Sequence, residues 1–210
     1  LGANVVLFGQ TFDEAKTEVA RRCLEDNLQL VHPFDDEAVM AGQGTVALEV
    51  LEQVPDLDAI IVPVGGGGLL AGVATVIRAL RPEALIVGVE PENAACYAAG
   101  IAAGGPIVIK TKASFADGLA VAQAGARTLL SQHLVDRVLT VSEGAIGAAM
   151  REILSAEGAT VEGAGAVAVA ACLGNAMPYL WGKKVVCLVS GGNVDAATHS
   201  RAILSDVAAA

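Results

Sequence analysis

The stretch DAIIVPVGGGGLLA, residues 58–71, constrains this chain more than any other. Ile60, Ile61, Val62 and Val64 make a continuous apolar run of strand length, the pattern of a parallel strand buried on both faces. Gly65, Gly66, Gly67 and Gly68 follow, where a polar turn is expected, and lead straight into Leu69, Leu70, Val73 and Ile77 at helical spacing. Four successive glycines pack nothing and cost conformational entropy. They make sense where backbone amides must approach a ligand closely, in dihedrals that other residues resist. The free amides of a helix N-terminus favour an anion, so the stretch reads as a phosphate cradle. The alternative, a plain strand-to-helix connector, needs only one or two glycines. A Walker loop would require Gly-Lys-Ser/Thr where Gly68, Leu69 and Leu70 stand, and the dinucleotide fingerprint spaces its glycines differently.

The rest of the chain repeats this strand-turn-helix grammar. The 210 residues are 54% hydrophobic with mean hydropathy +0.57, which predicts a globular interior rather than disorder. Apolar runs at 4–9 and 28–31 read as strands, separated by an exposed, polar-faced helix over 12–24. A helix is predicted over 36–53, with Gly42 and Gly44 inside it; two helical glycines cost about 1 kcal/mol each unless a neighbour packs closely. After the helix that ends before Pro82, residues 85–89 (LIVGV) form a second buried strand, and strand-helix-strand implies a parallel crossover. Residues 99–112 read as a loop carrying one short strand. Strands at 135–141 and 185–189 each precede a helix, the first capped by Ser142, and a small-residue helix begins near Val161.

Chemistry-bearing residues gather at the C-terminal ends of these strands, where ligands collect in open α/β sheets. Ser190, Gly191, Gly192 and Asn193 form a second glycine-rich turn, although Ser190 and Asn193 could equally be helix caps. A serine hydroxyl can donate to or accept from a ring nitrogen without becoming charged. Glu90 closes the second strand, either facing a site or capping the helix beyond it. Asp117 and Gly118 could be an ordinary turn, and Glu162 complements the dipole of the helix it starts. His32, beside Pro33, reads as a histidine bonded to its own loop. Cys23, Cys96, Cys172 and Cys187 are scattered without a CxxC pair, which points to reduced packing residues and away from zinc. The net charge of −10 without a basic cluster argues against nucleic acid. No apolar run reaches the roughly 18 residues of a membrane span, and no leader pattern opens the chain, so the expectation is a cytoplasmic protein.

The segments PVGGGGLLAGVAT (63–75), HPFDDEAVMAGQGT (32–45), FADGLAV (115–121) and SGGNVD (190–195) together resemble the serine/threonine dehydratase (threonine ammonia-lyase) and serine racemase family of pyridoxal-phosphate enzymes. The resemblance implies an α/β three-layer fold, with a mainly parallel sheet and helices on both faces. This is the tryptophan-synthase-β-like fold type II, here incomplete, with residues 1–30 a remnant of the small domain and 31–210 the large cofactor-binding domain. It implies pyridoxal 5'-phosphate as cofactor, with its phosphate on Gly65, Gly66, Gly67, Gly68 and Leu69. It sets Ser190 against the pyridine nitrogen, Glu162 near the ring, and Asp117 and Gly118 on the substrate side. The implied activity is deamination of L-threonine or L-serine to a 2-oxo acid and ammonia. The alternatives are a serine racemase, a non-catalytic fragment or one chain of a split enzyme. The implied partners are an amino-acid substrate and other copies in a homo-oligomer, or a missing N-terminal portion; no membrane or nucleic acid is expected.

Two departures accompany the resemblance. The family's Schiff-base lysine and its loop for the substrate carboxylate lie upstream of anything here, and Lys16, Lys110, Lys112, Lys183 and Lys184 stand in other contexts. The chain alone is therefore expected to be inactive, without a catalytic residue of its own. Some members also place a divalent cation beside the position of Glu90, but Ala94, Ala95 and Cys96 occupy the place of the second acid. One carboxylate is a poor match to about six oxygen ligands, so no metal is expected.

Overall fold

The structure, a computed structural model, describes residues 2–10, 12–174 and 177–204. Four strands, β1 (Ala59–Pro63), β2 (Leu85–Pro91), β3 (Arg137–Val141) and β4 (Val185–Cys187), form one sheet in the order β3-β2-β1-β4, with every pairing parallel. β1 is central because its whole length is apolar. All five of its residues are buried, and alternate side chains feed two separate cores, as strand pleating dictates.

On one face, Ile60, Val62 and Val64 pack with α2 (Glu37–Gln53), α3 (Gly68–Leu80), α4 (Cys96–Ala103) and α5 (Ala126–Leu130). On the other, Ala59 and Ile61 pack with α6 (Glu143–Glu157), α7 (Gly163–Leu173) and Ala202 of α8 (Ala196–Leu204). This is the expected three-layer arrangement. Helix ends follow local chemistry. Asp36 caps α2 by accepting from the amides of Ala38 (2.9 Å) and Val39 (3.2 Å), and Ser142 caps α6 by accepting from the Ala145 amide (3.2 Å).

The glycines of α2 divide in role. A Cβ on Gly44 would meet a Val76 methyl at 3.1 Å and the Gly72 carbonyl oxygen at 3.2 Å, so α2 and α3 approach backbone to backbone there, whereas nothing lies within 4 Å of such an atom on Gly42. Close approach explains Gly44 only.

Three expected strands are absent. Residues 4–9 and 28–31 lie outside the sheet, with Val5 80% and Leu7 91% exposed, so only α1 (Phe12–Glu25) of the opening strand-helix pair forms. Residues 99–112 also lack a strand, and α4 runs into their first half. Apolar alternation is permissive for a strand, but a strand exists only with a neighbour that takes up its amides and carbonyls. Among the described residues none of the three gains a strand ladder; residues 99–112 make only isolated bonds of this kind, from the Ile109 amide to the Ala122 carbonyl and from the Lys112 amide to the Asn93 carbonyl, both 2.9 Å.

Candidate functional site

A cavity of about 370 Å³ opens at the C-terminal end of β1. Gly65, Gly66, Gly67, Gly68, Leu69, Asp117, Gly118 and Ser190, far apart in sequence, all line it. The crossover topology makes this possible: β1 and β4 are adjacent and parallel, so the turns leaving them emerge side by side.

The glycine turn fits an anion. Gly66, Gly67 and Gly68 are buried, and among the described residues the amides of Gly65, Gly66, Gly67, Gly68 and Leu69 have no protein acceptor. Buried backbone amides normally have partners, so the three open ones of Gly66, Gly67 and Gly68, with those of the half-buried Gly65 and Leu69 beside them at the start of a 13-residue helix, suit a phosphate. Gly67 caps α3 in the left-handed region, φ 96°, and a Cβ there would also meet the Tyr97 ring at 2.6 Å. Side chains on Gly66 or Gly68 would run into Phe34: its ring in the first case, its carbonyl oxygen at 2.8 Å in the second.

The turn is fixed from behind. The Gly66 carbonyl accepts from the Gly125 amide (3.0 Å) and the Thr128 hydroxyl (2.7 Å), and the Tyr97 hydroxyl donates to the Thr128 carbonyl (3.1 Å). Asp35 accepts from the amides of Ala126, Arg127 and Thr128, which moors α5. Glu90 holds Tyr97 in place by accepting from the amides of Tyr97 (2.7 Å) and Ala98 (2.9 Å). Of its two sequence readings, the structure selects the helix cap. Burial pushes the Glu90 carboxyl up to about 7, against the opposing pull of the Ala98 and Tyr97 amides.

The second turn is built differently. Ser190 is exposed, and among the described residues its hydroxyl has no partner. The capping role falls to Asp195 instead, whose carboxylate accepts from the Thr198 amide at 2.9 Å. Glu162 lies behind the turn rather than on the cavity wall. Its amide donates to the Gly191 carbonyl (3.2 Å), and its carboxylate accepts from the Asn193 amide and would block any Cβ on Gly191. Burial raises the Glu162 carboxyl, the charge of Asp117 raises it further, and the Asn193 amide opposes both. The first turn of α7 gathers these segments. Gly163 abuts the Phe115 carbonyl, Gly165 the Gly191 carbonyl, and Ala164 the position of a Cβ on Gly118, at 3.3 Å.

His32 follows the local reading: its Nδ1 accepts from the amides of Phe34 (3.3 Å) and Asp35 (2.8 Å). The sequence reading missed Phe34 and Gln43, which line the cavity, and Asp35 and Thr128, which support it. Only the HPFDD segment hinted at them, through its place next to a helix start.

The pyridoxal-phosphate dependent enzyme family matches residues 1–191. The chain is 44% identical over 200 residues to an L-threonine ammonia-lyase of Geobacter sulfurreducens, covering 95% of this chain and 50% of that protein. It is 41% identical over 196 residues to an L-threonine ammonia-lyase of Thermotoga maritima, covering 93% and 48%. Among solved structures, the processed form of threonine deaminase isoform 2 from Solanum lycopersicum matches with TM-score 0.89 and 36% identity, over 96% of this chain and 59% of that one. Maize serine racemase matches with TM-score 0.87 and 36% identity, over 96% and 63%. The chain spans about half the length of the curated relatives it matches. Its parallel sheet flanked by helices is their type II fold. With the family matched over most of its length and an open-amide glycine cradle at the expected strand end, this chain belongs to the pyridoxal-phosphate dependent enzymes.

Proposed function

We propose that this chain is the cofactor-binding part of an ammonia-lyase that deaminates L-threonine or L-serine to a 2-oxo acid and ammonia. The observation that carries the reading is the set of five amides at Gly65, Gly66, Gly67, Gly68 and Leu69 without protein acceptors, on a cavity shared with Ser190 and Asp117. In this reading those amides and the α3 dipole hold the pyridoxal phosphate by its phosphate. Ser190 meets the ring nitrogen as a neutral partner, and Glu162 stiffens the turn that carries it. Asp117 and Gly118 border the amino-acid side. When bound, the cofactor supplies an electron sink for the carbanion left at the substrate's α-carbon. A serine at the nitrogen leaves that sink mild, which suits loss of a β-hydroxyl more than transamination. Lys16, Lys110, Lys112, Lys183 and Lys184 are not among the residues bordering the cavity, so we assign none of them to the cofactor. Residues 1–30 belong, in this reading, to the small domain and 31–210 to the large one, and the isolated chain has no deaminase activity.

The substrate assignment leans on the relatives named for threonine, and the likeness to maize serine racemase supplies the competing outcome. The test is an assay of the full-length protein on L-threonine and L-serine, following 2-oxo acid release and optical rotation together. Release of 2-oxo acid as the main product supports the ammonia-lyase. Loss of optical activity without 2-oxo acid overturns it in favour of a racemase.

A further inference from the structure

One imidazole orients both walls of the first glycine turn. His32 is half-buried, and its Nδ1 accepts from the Asp35 amide (2.8 Å) and, less closely, from the Phe34 amide (3.3 Å). Phe34 is the front wall: its ring lies against Gly66 and its backbone against Gly68, while the His32 ring meets it edge-on with centroids 4.7 Å apart. Asp35 is the rear wall. Its carboxylate accepts from the amides of Arg127 (2.8 Å), Ala126 (3.1 Å) and Thr128 (3.2 Å). The chain moored there presents the Gly125 amide and the Thr128 hydroxyl to the Gly66 carbonyl.

We propose that His32 is a positioning residue for the phosphate cradle, competent only while its Nδ1 is unprotonated. The proposal rests on the reading of the amides of residues 65–69 as a phosphate site. A nitrogen that accepts from two N–H groups must keep its lone pair, so the hydrogen bonds assign the neutral ring its proton on Nε2. Protonation at Nδ1 removes the acceptor and sets a third N–H against the other two. Phe34 and Asp35, on opposite sides of Gly66, then lose the bond that fixes their backbone. Among the described residues, the charged groups facing the ring are Lys16 of α1 and Arg127 of α5, which disfavour its charge, and Asp35 and Asp36 of its own loop, which favour it. Burial is the largest influence, and the net result is a pKa below the ordinary 6.5. A depressed folded pKa means that the ring's contribution is fully present above the unfolded value and is lost as pH falls through the folded one.

Two variants separate this role from simple packing. His32→Asn keeps a side-chain oxygen that can accept from the same two amides, as in an Asx turn, and takes up no proton. His32→Leu keeps an apolar contact with Phe34 and has no acceptor. Affinity for pyridoxal phosphate is measured by titration calorimetry between about pH 8 and about pH 5, the range in which an imidazole titrates. Amide-exchange protection of residues 33–36 and 125–128, corrected for intrinsic exchange, is followed without ligand by mass spectrometry over the same range. The ligand's phosphate and Glu90 titrate nearby in every variant, so the ratio of the unmutated protein to His32→Asn isolates the imidazole. On acidification the unmutated protein should lose about tenfold in affinity relative to His32→Asn, roughly the worth of one or two hydrogen bonds, as both segments lose protection together. His32→Leu should be weaker by about the same factor at either pH. Equal pH dependence in the unmutated protein and His32→Asn would overturn the proposal. So would His32→Leu matching the unmutated protein while His32→Asn fails, which is the pattern of packing alone. Weak cofactor binding that Gly68→Val leaves unchanged would sink the phosphate reading instead; loss of protection in both segments on acidification, absent from His32→Asn, would still place both walls under His32.

Discussion

The two glycine-rich turns, residues 65–68 after β1 and 190–193 after β4, occupy equivalent places in neighbouring parallel strands and differ in what stands behind them. The first follows a fully buried central strand and is held by Gly125, Thr128 and Tyr97. The second follows a half-buried edge strand, and its main tether is the 3.2 Å bond from the Glu162 amide to Gly191. A charged phosphate needs fixed, preorganised amides. A neutral ring nitrogen needs one hydroxyl, whose placement can be looser. The difference between a central and an edge position thus matches the difference in what each turn is proposed to bind.

The largest effect should come from filling the first turn. Gly68→Val puts a branched side chain against the Phe34 backbone. Affinity for pyridoxal phosphate should fall by about a hundredfold or more by titration calorimetry, with a stability loss of roughly 1–3 kcal/mol from overpacking. Unchanged affinity would return the turn to a simple connector.

Next in size is the pH response of Glu90, which supports that turn through Tyr97. Its folded pKa, about 7, stands above the ordinary 4.5, so the fold favours the protonated acid. Its contribution is fully present below the unfolded value and is lost as pH rises from about 4.5 through 7. The loss is of order 3 kcal/mol, by proton linkage. Glu90→Gln should flatten that part of the urea-unfolding profile; an unchanged slope would mean that another group titrates there.

Thr128→Val removes the hydroxyl that donates to the Gly66 carbonyl and should cost about 1–3 kcal/mol in urea unfolding, because the site is buried. A loss of cofactor affinity without that destabilisation would contradict its role as a support.

The smallest effect is expected at the second turn. Ser190→Ala should weaken cofactor binding by about 0.5–1.5 kcal/mol and leave unfolding nearly unchanged, since the hydroxyl has no protein partner among the described residues. If it matched Gly68→Val in affinity loss, the contrast between the turns would collapse.

Much of this layout was legible from residue order. The apolar run ending at Val64, followed by Gly65 and its neighbours, announces a buried parallel strand and a helix start, because period, composition and turn chemistry all act within about fifteen residues of one another. Ser142 announced its helix for the same reason. The meeting of the Ser190 turn with the first glycine turn was anticipated from two glycine-rich turns at strand C-terminal ends, and that of Asp117 and Gly118 only through the family resemblance. Local pattern alone left each of them a plausible turn or cap.

Tertiary structure decided the rest. The runs at 4–9 and 28–31 are as apolar as β4, but only β4 has a partner, the Ala59–Ile61 segment of β1, and pairing is what makes a strand. The choice between cap and site residue for Glu90 was settled when folding brought the Tyr97 and Ala98 amides to its carboxylate. Asp35 bonds amides more than ninety positions away, and Thr128 reaches back about sixty to Gly66. No periodicity within a single element encodes such contacts. The sequence by itself determined where strands could end in open amides; the order of the strands in the sheet determined which ends share a cavity, because only parallel neighbours present their C-terminal turns on the same edge.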